Sequence, residues 1–124
     1  MDLIDKHIIN RSTRAIKCLY LNSNFYQKIK ESGLSAEMVF AMKSKYISKV
    51  LFEPDNEKEV EENFLWLIKI GILRREVDGQ GLTSKVRITP LGRSILKDNP
   101  ELPNQKPSII ELITNWIMQQ FIFK

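Results

Sequence analysis

Cysteine is nearly absent from this sequence. Cys18 is the only one in 124 residues, so the chain can close no disulfide on itself and build no thiolate zinc cluster. A lone thiol fits a reducing compartment, and a cytoplasmic protein is expected. Histidine is equally scarce. His7 has no cysteine or carboxylate at a spacing useful for acid–base or nucleophilic work, and is expected on the surface or in packing. The five glycines are scattered and form no phosphate-cradling loop. The acidic run from Glu57 to Glu62 offers carboxylates without the oxygen-rich loop of a hard-metal site, and is expected to be a solvated face. The chain is therefore expected to be no enzyme and to hold no metal and no cofactor. No apolar run reaches the roughly 18 residues of a membrane span. The start, MDLIDKH, has no basic stretch followed by an apolar one, so neither a membrane partner nor a secretory signal is expected.

What is present is the composition of a soluble globular protein: 43% hydrophobic and 27% charged residues, in a chain long enough for one core. The net charge is +4, and the pI is about 9.2. That mild excess permits a nucleic-acid partner without requiring one.

Residues 3 to 21 read as helix, with Ala15, Ile16, Leu19 and Tyr20 on one face. Asn10-Arg11-Ser12 is a candidate break, with Ser12 as a new cap. After the turn cluster Asn22-Ser23-Asn24, the spacing predicts a short helix from Phe25 to Ser32 and a turn at Gly33-Leu34-Ser35. A longer helix follows from Ala36 to Phe52, capped by Ser35. Gly33 is expected to take a left-handed conformation. The longer helix carries an apolar stripe at Met38, Met42, Tyr46 and Val50. Lys43, Lys45 and Lys49 fall off that stripe, as phosphate-contacting or merely solvated side chains.

The most informative stretch runs from Glu59 to Leu96. Asn56 and Glu59 stand at capping-box spacing. Val60, Phe64, Leu67 and Ile68 recur at helical spacing until Gly71. Then come a strand with Leu73 and Val77 on one face, a turn at Asp78-Gly79-Gln80-Gly81, and a second strand with Val86 and Ile88 facing inward. Thr89 can cap a further helix with Pro90 at its first position. Phe64, Leu67, Leu73, Val86 and Ile88 are expected to be buried together, with Leu91 and Ile95 closing the layer and Glu61 exposed.

The runs Leu67–Gly71–Ile72–Leu73–Arg74 and Ile88–Thr89–Pro90–Leu91–Gly92 resemble the carboxy-terminal half of a winged-helix domain, as in small bacterial regulators of the MarR and PadR type. The resemblance covers about a third of the chain. It implies a mainly α fold with a small β-hairpin (α+β), a winged helix-turn-helix with extra helices at both ends. Residues 1–97 would form the domain, 98–107 a proline-bearing linker or an irregular strap over the surface, and 108–124 a dimerisation helix. It also implies a DNA-binding regulator of transcription. Candidate phosphate contacts are Lys43, Lys45 and Lys49 on the helix, and Arg74, Arg75, Lys85 and Arg87 on the wing.

Charge runs against part of that implication. The helix before the hairpin normally enters the major groove, yet residues 53 to 62 carry six carboxylates and one lysine, a net −5. From Arg74 to Lys97 the balance is +4. A winged-helix module that docks a protein partner through its acidic helix or apolar tail stays open beside the regulator.

The tail begins with Ser108 and Glu111 at capping-box spacing. Ile109, Leu112, Ile113, Trp116, Ile117 and Phe121 make it apolar over more than half its circumference. A homodimer through this helix is expected.

Overall fold

A computed structural model describes residues 3–48 and 53–123. Lys49, Val50 and the end of the helix expected at Phe52 lie outside the described residues. The chain is mostly helical with one two-stranded antiparallel sheet, an α+β fold. The order is α1 (Leu3–Cys18), α2 (Ser23–Glu31), α3 (Ala36–Ala41), α4 (Lys43–Tyr46), α5 (Glu57–Lys69), β1 (Leu73–Asp78), β2 (Gly81–Ile88), α6 (Pro90–Asp98) and α7 (Ile109–Phe123). A 3-10 turn at Leu102–Asn104 sits between the last two helices.

Side-chain caps set the helix starts. Asn22, Ser35, Asn56 and Thr89 accept from the backbone N–H groups of Phe25, Met38, Glu59 and Gly92. At α7 the box is reciprocal: Ser108 Oγ accepts from Glu111 N at 3.1 Å, and Glu111 Oε1 accepts from Ser108 N at 2.9 Å. The Glu59 carboxylate reaches one residue further than expected, to the N–H of Asp55 at 2.8 Å. Gly71 ends α5 at φ 91° and Gly81 closes the hairpin turn at φ 117°, a region that L side chains rarely enter.

The core lies between α1, α2, α3, α5, the hairpin and α6. Phe25, Phe64, Trp66, Leu67, Leu73 and Val86 are all fully buried, and the rings of Phe25 and Phe64 stack at 5.7 Å. Ile88 and Ile95 close this layer, and Leu91 packs half-buried against it.

Several elements differ from expectation. α1 runs unbroken through Asn10-Arg11-Ser12, and Ser12 is buried mid-helix instead of capping. Leu34 is no turn residue. It exchanges both backbone hydrogen bonds with Val86, at 2.8 and 3.3 Å, and so adds one rung to the hairpin. Gly33 owes its place to room, since a β-carbon there would stand 2.8 Å from Lys85 Cβ. The helix after Ser35 breaks at Met42 and ends at Tyr46. Asn22 and Tyr20 capture its backbone: Asn22 N–H donates to Tyr46 O, and Ser48 N–H donates to Tyr20 O, both at 3.0 Å. Met38 and Met42 are left exposed while Val39 and Tyr46 face the core. Val77 is 62% exposed, because a bulge between Arg75 and Val77 turns it off the face of Leu73. Glu61 is half-buried against Arg75 instead of exposed. The stretch after α6, expected as a linker or an irregular strap, is a strap: Leu102 and Pro103 are buried and the 3-10 turn packs on α1.

Candidate functional site

Two surfaces bring the sequence-derived residues together. The first is the face shared by α3, α5 and the hairpin. α3 and β1 both pack on α5, and the α5 glutamates divide: Glu61 faces Arg75, while Glu59 and Glu62 line the groove toward α7. Arg75 Nη2 reaches Glu61 at 2.5 Å and Arg75 Nη1 donates to Ser84 O at 2.8 Å. Arg87 donates to the carbonyls of Ile29 and Lys30, both at 2.9 Å, and pairs with Glu76 at 3.3 Å. It thereby caps the last turn of α2, where carbonyls lack helical partners. Two of the four hairpin cations are thus fastened to the protein itself. Arg74 and Lys85 are exposed. On α4, Lys43 and Lys45 are exposed, with Lys43 over the Phe40 ring and 3.6 Å from Glu53.

The second surface is α7. Its inward stripe is Glu111, Asn115 and Met118, at i, i+4 and i+7. Glu111 pairs with Lys17 of α1 at 3.0 Å. The backbone N–H of Ser108, followed by Lys17, holds its carboxyl below the usual carboxylate range. Asn115 is buried and accepts from the Trp66 indole at 3.3 Å. Met118 packs on the core. The outward side carries Ile109, Ile110, Ile113, Trp116 and Phe121, between 52% and 79% exposed. Ile117 is 39% exposed and Leu112 is half-buried at the flank. Polar Glu111 and Asn115 bond inward beside Met118, while most of the large apolar side chains are exposed.

A groove of about 540 Å³ separates α7 from α1 and α5, lined by Tyr20, Glu59, Glu62, Asn63, Leu112 and Trp116. The Tyr20 hydroxyl donates toward Glu59 O at 3.4 Å and accepts from Asn63. Burial pushes its pKa up to about 12, offset in part by the Asn63 bond and reinforced by the charges of Glu59 and Glu62.

His7 is exposed on α1. Among the described residues no cluster of histidine, cysteine and carboxylate side chains could hold a metal ion, and no helix is long and apolar enough to cross a membrane. The residues that sequence reasoning missed are Trp66, buried on a second face of α5, and Asn115, its partner. No sequence signal marked Asn115 as inward-facing.

No curated protein and no solved structure matches the chain. The sequence pattern of the Npun_F0494-like family matches residues 3–119, and the chain belongs to that family.

Proposed function

We propose that this chain is a winged-helix protein whose work is association and not catalysis, and that it pairs with a second copy through the outward face of α7. The succession of α2, α3, α5, the hairpin and α6 supports the winged helix, as does the Leu34–Val86 rung that ties the segment before α3 to the wing. The observation that carries the pairing is the outward row Ile109, Ile113, Trp116 and Phe121 on a helix whose inward stripe is already engaged. A contiguous apolar patch of this kind marks an interaction surface. Two-fold pairing buries the patch of both copies with one contact. In the winged-helix order α5 holds the groove-reading position. Its carboxylates repel a phosphate-lined groove and favour a basic protein partner. The lone reduced Cys18 goes with a cytoplasmic setting.

A second reading, a DNA-binding regulator of transcription, draws support from the exposed cations Lys43, Lys45, Arg74 and Lys85, which engage no groove-reading helix but can hold phosphates. A dimer would serve that role too.

Tryptophan emission tests the pairing. Trp66 is fully buried and Trp116 is 62% exposed, so dilution of the dimer must shift emission to the red through Trp116 alone. Trp116→Phe abolishes the shift. Emission independent of concentration, in a range where scattering gives a monomer, overturns the proposal.

A further inference from the structure

A second groove, of about 470 Å³, lies between α2, α6 and the strap, on a face that neither α7 nor α5 lines. Its α2 wall is one helical stripe: Tyr26, Gln27 and Lys30 follow at i, i+1 and i+4. Its α6 wall is Arg93, Leu96 and Lys97, with Pro103 of the strap closing one end. Lys30, Arg93 and Lys97 bring three positive charges to the groove, and no carboxylate lines it. Among the described residues none of the three is held in an ion pair. The one bond that positions them is neutral at its acceptor: Arg93 Nη2 donates to the Lys30 carbonyl at 3.3 Å. That bond fixes the guanidinium at the end of α2 and leaves its other donors free.

Tyr26 supplies an independent sign. It is 2% exposed, it lines the groove, and its hydroxyl has no hydrogen-bond partner. A buried, unsatisfied hydroxyl is destabilising, so its persistence needs a reason. Burial also raises its pKa, which keeps the proton on the oxygen and the group a donor. Leu96, Pro100, Pro103 and the Tyr26 ring give the lining its apolar part, beside the polar Ser23 and Gln27.

We propose that this groove binds a small phosphomonoester, with Arg93, Lys97 and Lys30 on the phosphate, the apolar wall against the organic body and Tyr26 donating to an oxygen of the ligand. Three cations exceed what a single carboxylate balances. A phosphomonoester carries roughly −1.5 to −2 at neutral pH and offers three acceptor oxygens to a guanidinium fork and two ammonium groups. The volume lies within the range of small-molecule sites, about 300–1,000 Å³.

Calorimetric titration of the full chain with phenyl phosphate tests this, with phenol, inorganic phosphate and a short DNA duplex as comparators. Phenyl phosphate is expected to bind at least tenfold more tightly than phenol or inorganic phosphate. Arg93→Gln with Lys97→Gln should weaken it at least tenfold while the circular dichroism stays unchanged. Tyr26→Phe should weaken it several-fold without lowering the melting temperature, which separates a ligand contact from a structural one. No heat at millimolar phenyl phosphate with folded protein overturns the proposal. So does binding that the double variant leaves intact, binding of inorganic phosphate equal to that of the ester, or binding of the duplex alone.

Discussion

Trp66 and Asn115 meet across the seam between α5 and α7: the indole N–H donates to Asn115 Oδ1 at 3.3 Å, and both side chains are buried. This bond decides which way α7 faces. With Asn115 inside, helical periodicity sends Ile113, Trp116 and Ile117 outward. Replacing Asn115 by Ala takes away the acceptor and should cost about 1 kcal/mol or more of stability in urea. Gln119→Ala, two residues beyond Ile117 at the groove margin, should fall within about 0.5 kcal/mol of the parent.

The layer under the hairpin should respond to truncation as a packed interior does. Leu67 is fully buried, and Leu67→Ala is expected to cost on the order of 2–5 kcal/mol through lost burial and a cavity. Leu65, its neighbour on α5, is 44% exposed, and Leu65→Ala should cost far less. Equal losses in chemical denaturation would mean that α5 is rotated from the orientation described.

The hairpin cations should divide into two classes. Arg75 and Arg87 are engaged with Glu61, Glu76 and backbone carbonyls, so their substitution by Ala should lower the melting temperature. Arg74 and Lys85 are exposed, so theirs should not. Whatever affinity for DNA the protein has should depend on Arg74 and Lys85, with a log–log salt slope of about −0.9 per phosphate contacted. Replacing Glu57, Glu61 and Glu62 by Gln should raise that affinity for every sequence alike. Gel shifts at low salt read both effects.

Stability should depend on pH at both ends. The folded pKa of Glu111 is lowered, so its contribution is present above the unfolded carboxylate range and is lost as pH falls through the folded value. Thermal melts should therefore drop in acid, and less steeply in Glu111→Gln. Tyr20 is the opposite case. Its pKa is raised to about 12, so the folded state keeps a proton that the unfolded chain gives up near pH 10. Stability should be lost between these values as pH rises. Ultraviolet titration of the parent against Tyr20→Phe should show, as the difference, a phenolate that forms above the ordinary tyrosine range.

Local chemistry was the legible part of the fold. The caps at Ser35, Asn56, Thr89 and Ser108 involve residues three positions apart or fewer, and each stands where its spacing puts it. The layer of Phe64, Leu67, Leu73, Val86 and Ile88 follows from period alone. The end of α4 was illegible because Asn22 and Tyr20, more than twenty residues away, take backbone groups that would otherwise continue the helix. Val77 misled because a bulge shifts the alternation by one residue, and nothing in Arg75-Glu76-Val77 announces it. Charge counting placed a basic hairpin correctly in sum. It could not see that Glu61 and Glu76 take up two of its arginines. The six residues named for the dimer face came from the apolar excess of the tail, and five of them are exposed on α7, with Leu112 half-buried at the edge.

Removing α7 would unseat Asn115 and Met118 and uncover the core, so the pairing is better probed by charge on its outer side. Sedimentation equilibrium of the full chain at micromolar concentration is the most direct measurement. The parent is expected at twice the 14.5 kDa of one chain. Ile113→Glu with Trp116→Glu is expected at 14.5 kDa, with an unchanged circular dichroism spectrum. A parent that sediments as a single chain, or a folded double variant that still sediments as two, would contradict the account.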